Sequence, residues 1–570
     1  MIQRNSYLIR KAFLSYITAT VLAAMALSLG VVINGVIVGN LLGPAALSAV
    51  NLASPLVQLI AAVAMLINVG GATLTAISLG RGGIGDAGKI FTMSMLLSAV
   101  AGVLIFFLGL FFSDAVAGVL CSNAELFPLV AGYVKVVLLT AAAYIFLPGL
   151  AVFIRTDSAP KRATAALLTA TATMVVLDFV FIGYLDMGVT GSALATAIGY
   201  TAGICVLLAH FRTPSPILAL RRGGWEFVLP ILVIGAPVAL ASGLMMVRLL
   251  GLNTLVLAAL GTVGISIMSV CLNLMLLASM FIGGTAQTIQ PIGGALYGLE
   301  DRRGVDMVIR VAAKFLIAAL AVLVCVVFFF PQLFLTLFGL TGPELTTAAP
   351  ALRIFSFSLI LYGINYLLMI VYQVFGHRRL STVIAVLQSL LVIVAAAVLI
   401  EINPNLIWFA FAAGELLVLC TIAVAVLIIR RQNADLKGLA LQSPSPVPTF
   451  DVSLSGDGKD LGDLLDAVSA FLTEHNVSQP VTDRIRLSCE ELVSNILVHG
   501  LKHDSRRYVD VLLRIEENGV VLIIRDDGAP FDPIEYNGDG IGLLLVRRMC
   551  STLDYAFTMG QNTVSVLFHY

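Results

Sequence analysis

Ser443-Pro444-Ser445-Pro446-Val447-Pro448 divides the chain into two unlike parts. Proline at that density fixes φ and removes backbone donors, so the segment reads as an extended, semi-rigid spacer. On its N-terminal side the sequence is an almost continuous series of apolar runs. From Thr449 onward charged residues return and apolar positions become periodic. The expected organisation is a membrane body over 1–430, a linker over 431–450 and a compact soluble unit over 451–570.

Composition agrees with a large membrane part. The 570 residues are 59% hydrophobic and 12% charged, with a mean hydropathy of +1.01, whereas soluble domains carry about 25% charged residues. The formal net charge is zero, so no global basic field favours nucleic acid as a direct partner. The seven cysteines are scattered without a Cys-x-x-Cys pair, which argues against a disulfide framework or a zinc site.

Runs of about 20 apolar residues match the roughly 30 Å hydrocarbon core of a bilayer, and about twelve such runs occur. They fall near 14–38, 49–78, 90–112, 129–153, 162–184, 189–211, 228–250, 255–281, 309–330, 349–374, 380–401 and 406–430. The first continues to Val38, too long for a signal-peptide core, and reads as an uncleaved span. Cations at Arg10 and Lys11, Arg81 and Lys89, Lys161 and Arg162, Arg221 and Arg222, Arg302 and Arg303, Arg378 and Arg379, and Arg430 and Arg431 fall on alternate connections. The positive-inside rule then predicts a multi-pass protein of the cytoplasmic (plasma) membrane with both termini cytoplasmic.

The membrane body repeats itself. Gly70-Gly71-Ala72-Thr73 followed by Gly80-Arg81-Gly82 is echoed by Gly283-Gly284-Thr285 followed by Gly293-Gly294 and Glu300-Asp301-Arg302. Two six-helix lobes, about 10–212 and 225–430, are expected, with a polar path between them. Val38-Gly39-Asn40-Leu41-Leu42-Gly43, Leu177-Asp178-Phe179-Val180-Phe181-Ile182 and Gly188-Val189-Thr190-Gly191-Ser192-Ala193-Leu194-Ala195-Thr196 resemble the multidrug and toxic compound extrusion (MATE) family of secondary antiporters. The resemblance implies export of a cationic or amphipathic solute in exchange for Na⁺ or H⁺.

Intramembrane carboxylates are costly and mark candidate sites; Asp178 and Glu415 are the clearest here. Family members with an N-lobe cation site use an Asp on the first helix, an Asn and an Asp four residues apart on the fifth, and a Thr on the sixth. By that resemblance Asp178 and Thr196 match, whereas Asn34 and Met174 stand where an acid and an amide are expected. Asp178 therefore reads either as a coupling carboxylate or as a helix-packing group. Glu415 reads as a coupling group or as half of an ion pair, with Arg248 a possible partner. Gln58, Asn68, Gln287, Gln290 and Asn365 read as cavity lining or, more simply, interhelical glue.

In the soluble unit, Glu491 and Asn495 lie one turn apart on one face of a helix expected over about 480–499. A carboxylate beside an amide oxygen suits phosphoryl transfer assisted by Mg²⁺, although the pair alone is a common surface pattern. Strands over 508–516 and 520–525, joined at Glu517-Asn518-Gly519, lead into Asp526-Asp527-Gly528. Gly538-Asp539-Gly540-Ile541-Gly542 then opens an apolar helix, offering backbone N–H groups to phosphate.

The three boxes resemble the gyrase and histidine-kinase ATPase superfamily, within it the anti-sigma-factor serine kinases. The resemblance implies an α/β sandwich binding ATP, with Glu491 as base, Asn495 as Mg²⁺ ligand, Asp526 as adenine reader, Gly528, Gly540 and Gly542 as base-approach and lid glycines, and Thr563 supporting Asp526. It also implies a sigma-factor or anti-anti-sigma-like protein as partner. Two further motifs carry no site. Gly83 to Lys89 starts like a P-loop, but Ile90 stands where Ser or Thr is required, and His499 with His503 has no third ligand. Two functions remain: an antiporter carrying an ATP-binding, kinase-like domain, or a transport-inactive receptor whose solute site switches that domain.

Overall fold

The computed structural model describes residues 4–121, 123–212, 218–337, 344–443, 445, 447–534 and 541–570; Pro444 and Pro446 of the spacer lie outside them. The first lobe comprises α1 (Tyr7–Leu42), α2 (Pro44–Gly80), α3 (Ile84–Leu120), α4 (Phe127–Leu139), α5 (Ala141–Thr156), α6 (Pro160–Asp178) and α7 (Gly188–Leu208). The second comprises α8 (Val228–Gly298), α9 (Arg302–Phe329), α10 (Pro331–Leu337), α11 (Glu344–Val374), α12 (Arg378–Ile402) and α13 (Ile407–Gln432). Among the described residues 11 helices are long and apolar enough to cross a membrane, or up to 12 if α4 and α5, bent by 50°, form one span.

Two boundaries differ from the sequence reading. The expected break between the seventh and eighth spans, near Gly251-Leu252-Asn253, is helical, and the chain instead turns at Gly261 (φ 65°, ψ −153°). The α8 limb before Gly261 packs antiparallel to α2, with Gly235 against Leu66 and Ile231 against Gly70. The limb after it packs parallel, with Ala295 and Gly298 against Ile77 and Gly80. A positive φ of that kind is open to glycine and strained for other residues. The fifth span also does not end as a plain α-helix, because α6 runs into a π-turn over Phe179–Tyr184 directly after Asp178.

Among the described residues the lobes share an apolar core at one end. Ile9, Ala12, Phe13, Tyr16, Ile17 and Val69 of the first lobe join the core of the second. The apolar cluster at the far end of the first lobe, from Ile37 to Ala193, draws nothing from the second. At the joined end Thr20 and Thr288 share a hydrogen bond of 2.8 Å and Arg155 bonds Gln287. Helix backbones touch there: a Cβ on Gly80 would overlap the Ala295 carbonyl, and one on Gly298 the Ile77 carbonyl. Glycine at such crossings lets helices approach closely.

The C-terminal unit is a five-stranded antiparallel sheet in the order β1-β2-β3-β5-β4, with β1 Thr449–Ser455, β2 Tyr508–Glu516, β3 Gly519–Asp526, β4 Thr552–Thr558 and β5 Gln561–His569. Helices α14 (Leu461–Glu474), α15 (Gln479–Asn495) and α16 (Ile541–Met549) cover one face. Leu464, Val468, Ile485, Cys489 and Val493 pack there on Val511, Leu522, Ile524 and Val566. Register places Ser453, Asp510, Arg525 and Thr563 opposite one another on the other face. That face lies on the membrane body, where Leu299 packs against Leu512, Val521 and Ile523. Strands β1 and β4 were not expected from the sequence: β1 follows a proline run, and β4 is a half-exposed edge with weak alternation.

Candidate functional site

A cavity of about 430 Å³ opens between α15, α16 and the ends of β3 and β5, lined by Glu491, Asn495, His499, Asp526, Phe531 and Asn562 among others. The helical pitch that buries Cys489, Leu492 and Val493 in the core turns Glu491 and Asn495 to the cavity. Asn495 Nδ2 donates to Glu491 Oε1 at 3.1 Å, and no hydrogen bond falls on the Asn495 side-chain oxygen among the described residues. Asp526 ends β3, is 3% exposed, and accepts through Oδ1 from Asn562 Nδ2 at 3.0 Å and Gly528 N at 2.6 Å. No hydrogen bond falls on Asp526 Oδ2 among the described residues, so one carboxylate oxygen is held and the other is available. Burial raises this carboxyl above its ordinary value, against the Asn562 bond.

Two glycines sit where side chains have no room. A Cβ on Gly528 would stand 2.7 Å from Asp526 Oδ1 and 3.2 Å from Gly500 Cα, and a Cβ on Gly542 would fall on the Glu491 carboxylate. Gly540 lies outside the described residues. Thr563 does not reach Asp526. It pairs with Arg525 on the opposite sheet face, and its buried hydroxyl has no hydrogen-bond partner among the described residues. Asn562, which pairs with Asp526 across β3 and β5, fills the role expected of Thr563. Its orientation is fixed, since Oδ1 accepts from Tyr555 Oη at 2.8 Å and Nδ2 also donates to Ala529 O at 3.1 Å. The cross-strand register that makes the pair is invisible without knowing which strands are neighbours.

These residues fit Mg-ATP: a free carboxylate oxygen for an exocyclic amine, close backbone at Gly528, and an oxygen-donor pair at Glu491 and Asn495. The groups of three or more His, Cys, Asp or Glu that would hold a metal ion by themselves are absent among the described residues.

In the first lobe Asp178 is fully buried. Asn34 Nδ2 donates to Asp178 Oδ2 at 2.9 Å and to Ser192 Oγ at 2.7 Å, and the Ser192 hydroxyl also lies against the Asp178 carboxyl, whose Oδ1 has no hydrogen bond of good geometry among the described residues. Asn34, Asp178 and Ser192 therefore form one cluster across α1, α6 and α7. Thr196 lies a turn beyond Ser192, its hydroxyl bonded to the Ser192 carbonyl at 3.1 Å. Met174 is buried against Gly30 and Gly199. Ser192 was not singled out by sequence; one serine among many small helical residues gives no signal.

In the second lobe Glu415 is fully buried and pairs with Arg248 at 3.0 Å. Asn365 and Gln388 amides donate to Glu415 Oε2 at 2.9 and 3.3 Å. Arg248 lies over the Tyr362 and Phe411 rings, 5.5 and 5.9 Å from their centroids. Asn68 bonds the Ile145 carbonyl and accepts from Ser98, so Asn68 and Asn365 tie helices together, while Gln287 spans the two lobes.

Comparison with known proteins places these features. The MatE family model matches residues 8–180 and 237–398, and the model of the histidine kinase-like ATPase domain matches 454–568. The chain is 25% identical over 398 residues to the multidrug export protein MepA of Staphylococcus saprophyticus, covering 68% of this chain and 87% of that protein. The MepA of Staphylococcus aureus is 26% identical over 414 residues, covering 71% and 90%. An outward-facing multidrug resistance MATE family transporter of the MOP superfamily superposes with a TM-score of 0.69 at 22% identity, over 76% of this chain and 98% of that one. A MOP superfamily transporter from Pyrococcus furiosus gives 0.69 at 21%, over the same shares. At such identity these structures speak for the fold. The family model spans over half of the sequence, and this membrane protein with a histidine kinase-like ATPase domain at its C-terminal side belongs to the MatE family.

Proposed function

We propose that the membrane body is a secondary antiporter exporting cationic or amphipathic solutes, drugs among them, in exchange for Na⁺ or H⁺. The observation that carries this reading is the fully buried carboxyl of Asp178, which meets the neutral side chains of Asn34 and Ser192 and no cation among the described residues. A carboxylate buried in a bundle without a counter-charge is expensive unless a proton or cation visits it. Asn34 in place of an acid leaves a single carboxylate, which suits one proton or one monovalent cation.

The ATPase domain, in the same reading, faces the cytoplasm with both termini and binds Mg-ATP. Bound Mg-ATP supplies a transferable phosphoryl group and screens its charge. The Asn495 carbonyl oxygen is positioned to ligate the metal, Glu491 to accept the proton of an attacking hydroxyl, and Asp526 Oδ2 to accept from the adenine amine. The hydroxyl belongs to a serine of a sigma-factor or anti-anti-sigma-like partner, as in the anti-sigma-factor kinases that the boxes resemble.

A transport-inactive receptor is the second reading. It is favoured by the Asn34 amide, which already neutralises part of the Asp178 demand. Full-length protein in proteoliposomes separates the two. Asp178→Asn is expected to abolish ion-driven dye movement while leaving Mg-ATP binding intact, and unchanged flux in the variant removes Asp178 from coupling. Asn495→Ala is expected to abolish Mg-ATP binding, and unchanged affinity sinks the nucleotide-site assignment.

A further inference from the structure

The sheet face turned toward the bundle carries ionisable side chains that are almost wholly buried. Arg4 Nη1 donates to Asp451 Oδ1 at 2.8 Å, and Arg4 Nη2 lies 2.7 Å from Asp510 Oδ2 and 3.2 Å from Asp301 Oδ2. Arg525 also bonds Asp301, which caps α9 through Gly304 N at 2.8 Å. None of these five side chains is more than 7% exposed. Removing one partner of such a cluster leaves an uncompensated buried charge, so docking depends on all of these side chains being present together.

Both lobes are engaged. From the first lobe, Tyr7 Oη donates to Asp527 Oδ2 at 3.1 Å, Lys11 pairs with the same carboxylate, the Leu8 carbonyl accepts from Gln561 Nε2 at 2.7 Å, and Ser158 Oγ donates to the Phe557 carbonyl at 3.2 Å. From the second, Leu299 O accepts from Arg514 Nη1 at 3.0 Å, Glu300 pairs with Arg514 at 3.3 Å, and Asp301 enters the cluster. The lobes themselves touch at this end, where Thr20 meets Thr288 and Gly80 meets Ala295. A rigid body fastened to both lobes across their junction resists their separation there.

We infer that the ATPase domain is an inter-lobe bolt: docked through the Arg4–Asp301–Asp451–Asp510–Arg525 cluster, it holds the joined end of the transporter shut, and nucleotide occupancy of its pocket adjusts that hold. The link to the pocket is one residue long. Asp526 lines the cavity and Asp527 binds α1, while Arg507 ties Asp527 (Nε to Oδ1, 2.9 Å) to the Gly500 carbonyl of the pocket wall at 3.4 Å. A ligand that binds one arrangement of this segment better than another shifts the docking equilibrium by that difference. This second clause rests on the nucleotide-site reading above; the bolt itself does not.

The test is a spin-label distance measurement across the joined end, in full-length protein in nanodiscs. Labels replace Lys161 of the first lobe and Arg379 of the second, both exposed, in a background without the seven free cysteines. The parent is expected to give a single short-distance population. Arg4→Ala in the segment before α1 with Lys11→Ala on the exposed side of α1 is expected to add a longer one, and Lys11→Arg alone to keep the parent distribution. An unchanged single population in the alanine variant overturns the bolt. Saturating Mg-ATP is expected to change the ratio of the two populations in the alanine variant but not when Asn495→Ala is added. Mg-ATP binding is measured in the same samples: binding with an unmoved ratio overturns the nucleotide link, whereas absence of binding overturns the nucleotide-site reading and leaves the bolt to stand on the first comparison.

Discussion

Asp526→Asn tests the assignment of the pocket acid by exchanging one carboxylate oxygen for an NH₂ group. Oδ1 accepts from both Asn562 Nδ2 and Gly528 N, so the amide oxygen of the variant keeps that place and the fold is undisturbed. The free position then carries an NH₂, which meets the exocyclic amine of adenine donor to donor. A hydrogen bond to a charged acceptor, worth about 1.5–3 kcal/mol, is lost, and a buried unpaired donor adds about 1–3 kcal/mol. Taking about 3–5 kcal/mol together, at about 1.4 kcal/mol per tenfold, ATP affinity falls by roughly 10²- to 10³-fold or more. Guanine presents a carbonyl at the corresponding position, so GTP loses far less and the preference for ATP narrows. The assay is competition of ATP and GTP against a fluorescent nucleotide on the full-length protein. An ATP affinity within about threefold of the parent, at unchanged thermal stability, refutes the reasoning. In the parent, ATP affinity is expected to weaken as pH falls toward the raised carboxyl pKa, because protonation removes the acceptor.

Three other outcomes follow from the same geometry. Glu491→Gln should bind Mg-ATP nearly as the parent does while phosphoryl transfer or ATP hydrolysis falls by about 10²- to 10⁴-fold, the usual contribution of a positioned base. Glu415→Ala leaves Arg248 buried without its counterion and should cost about 3–5 kcal/mol in detergent unfolding, whereas Glu415→Gln with Arg248→Met should cost much less. The docking face should respond to pH. Burial outweighs Arg4 and pushes Asp451 up to about 6, while at Asp301 burial is outweighed by Arg525 and Arg4 and the carboxyl is held at about 2. Asp510 and Arg303, whose guanidinium reaches the Asp451 carbonyl, face the same cluster. A carboxyl raised on docking binds its proton more tightly when docked, so docking strengthens as pH falls through about 6 toward 4 and weakens again only below, where Asp301 is protonated. Hydrogen exchange of β1 to β3 should therefore be slower at pH 5 than at pH 7.5 after correction for intrinsic rates; equal protection at both contradicts it.

The two-lobed helical body and the α/β nucleotide-type domain were legible because hydropathy and ordered motifs are local properties. Gly261 was not, since a tight reversal between two apolar helices needs one glycine and leaves no polar loop to see. Glu491 and Asn495 were placed together by helical pitch alone. Asp526 was legible as a box, but Asn562 and the displacement of Thr563 to the other face depend on strand register, which joins residues far apart in sequence. Arg4 precedes α1 and Arg525 lies in β3, near opposite ends of the sequence. That they converge on Asp301 is a property of docking and has no sequence signature.

The central claim is best tested by full-length protein in liposomes, following movement of a fluorescent cationic dye under imposed sodium or proton gradients, with and without ATP on the side of the ATPase domain. The account predicts dye flux that requires an ion gradient and whose rate, not its driving force, changes with ATP. Absence of gradient-driven flux, together with ATP turnover that responds to solute, would contradict it in favour of a receptor.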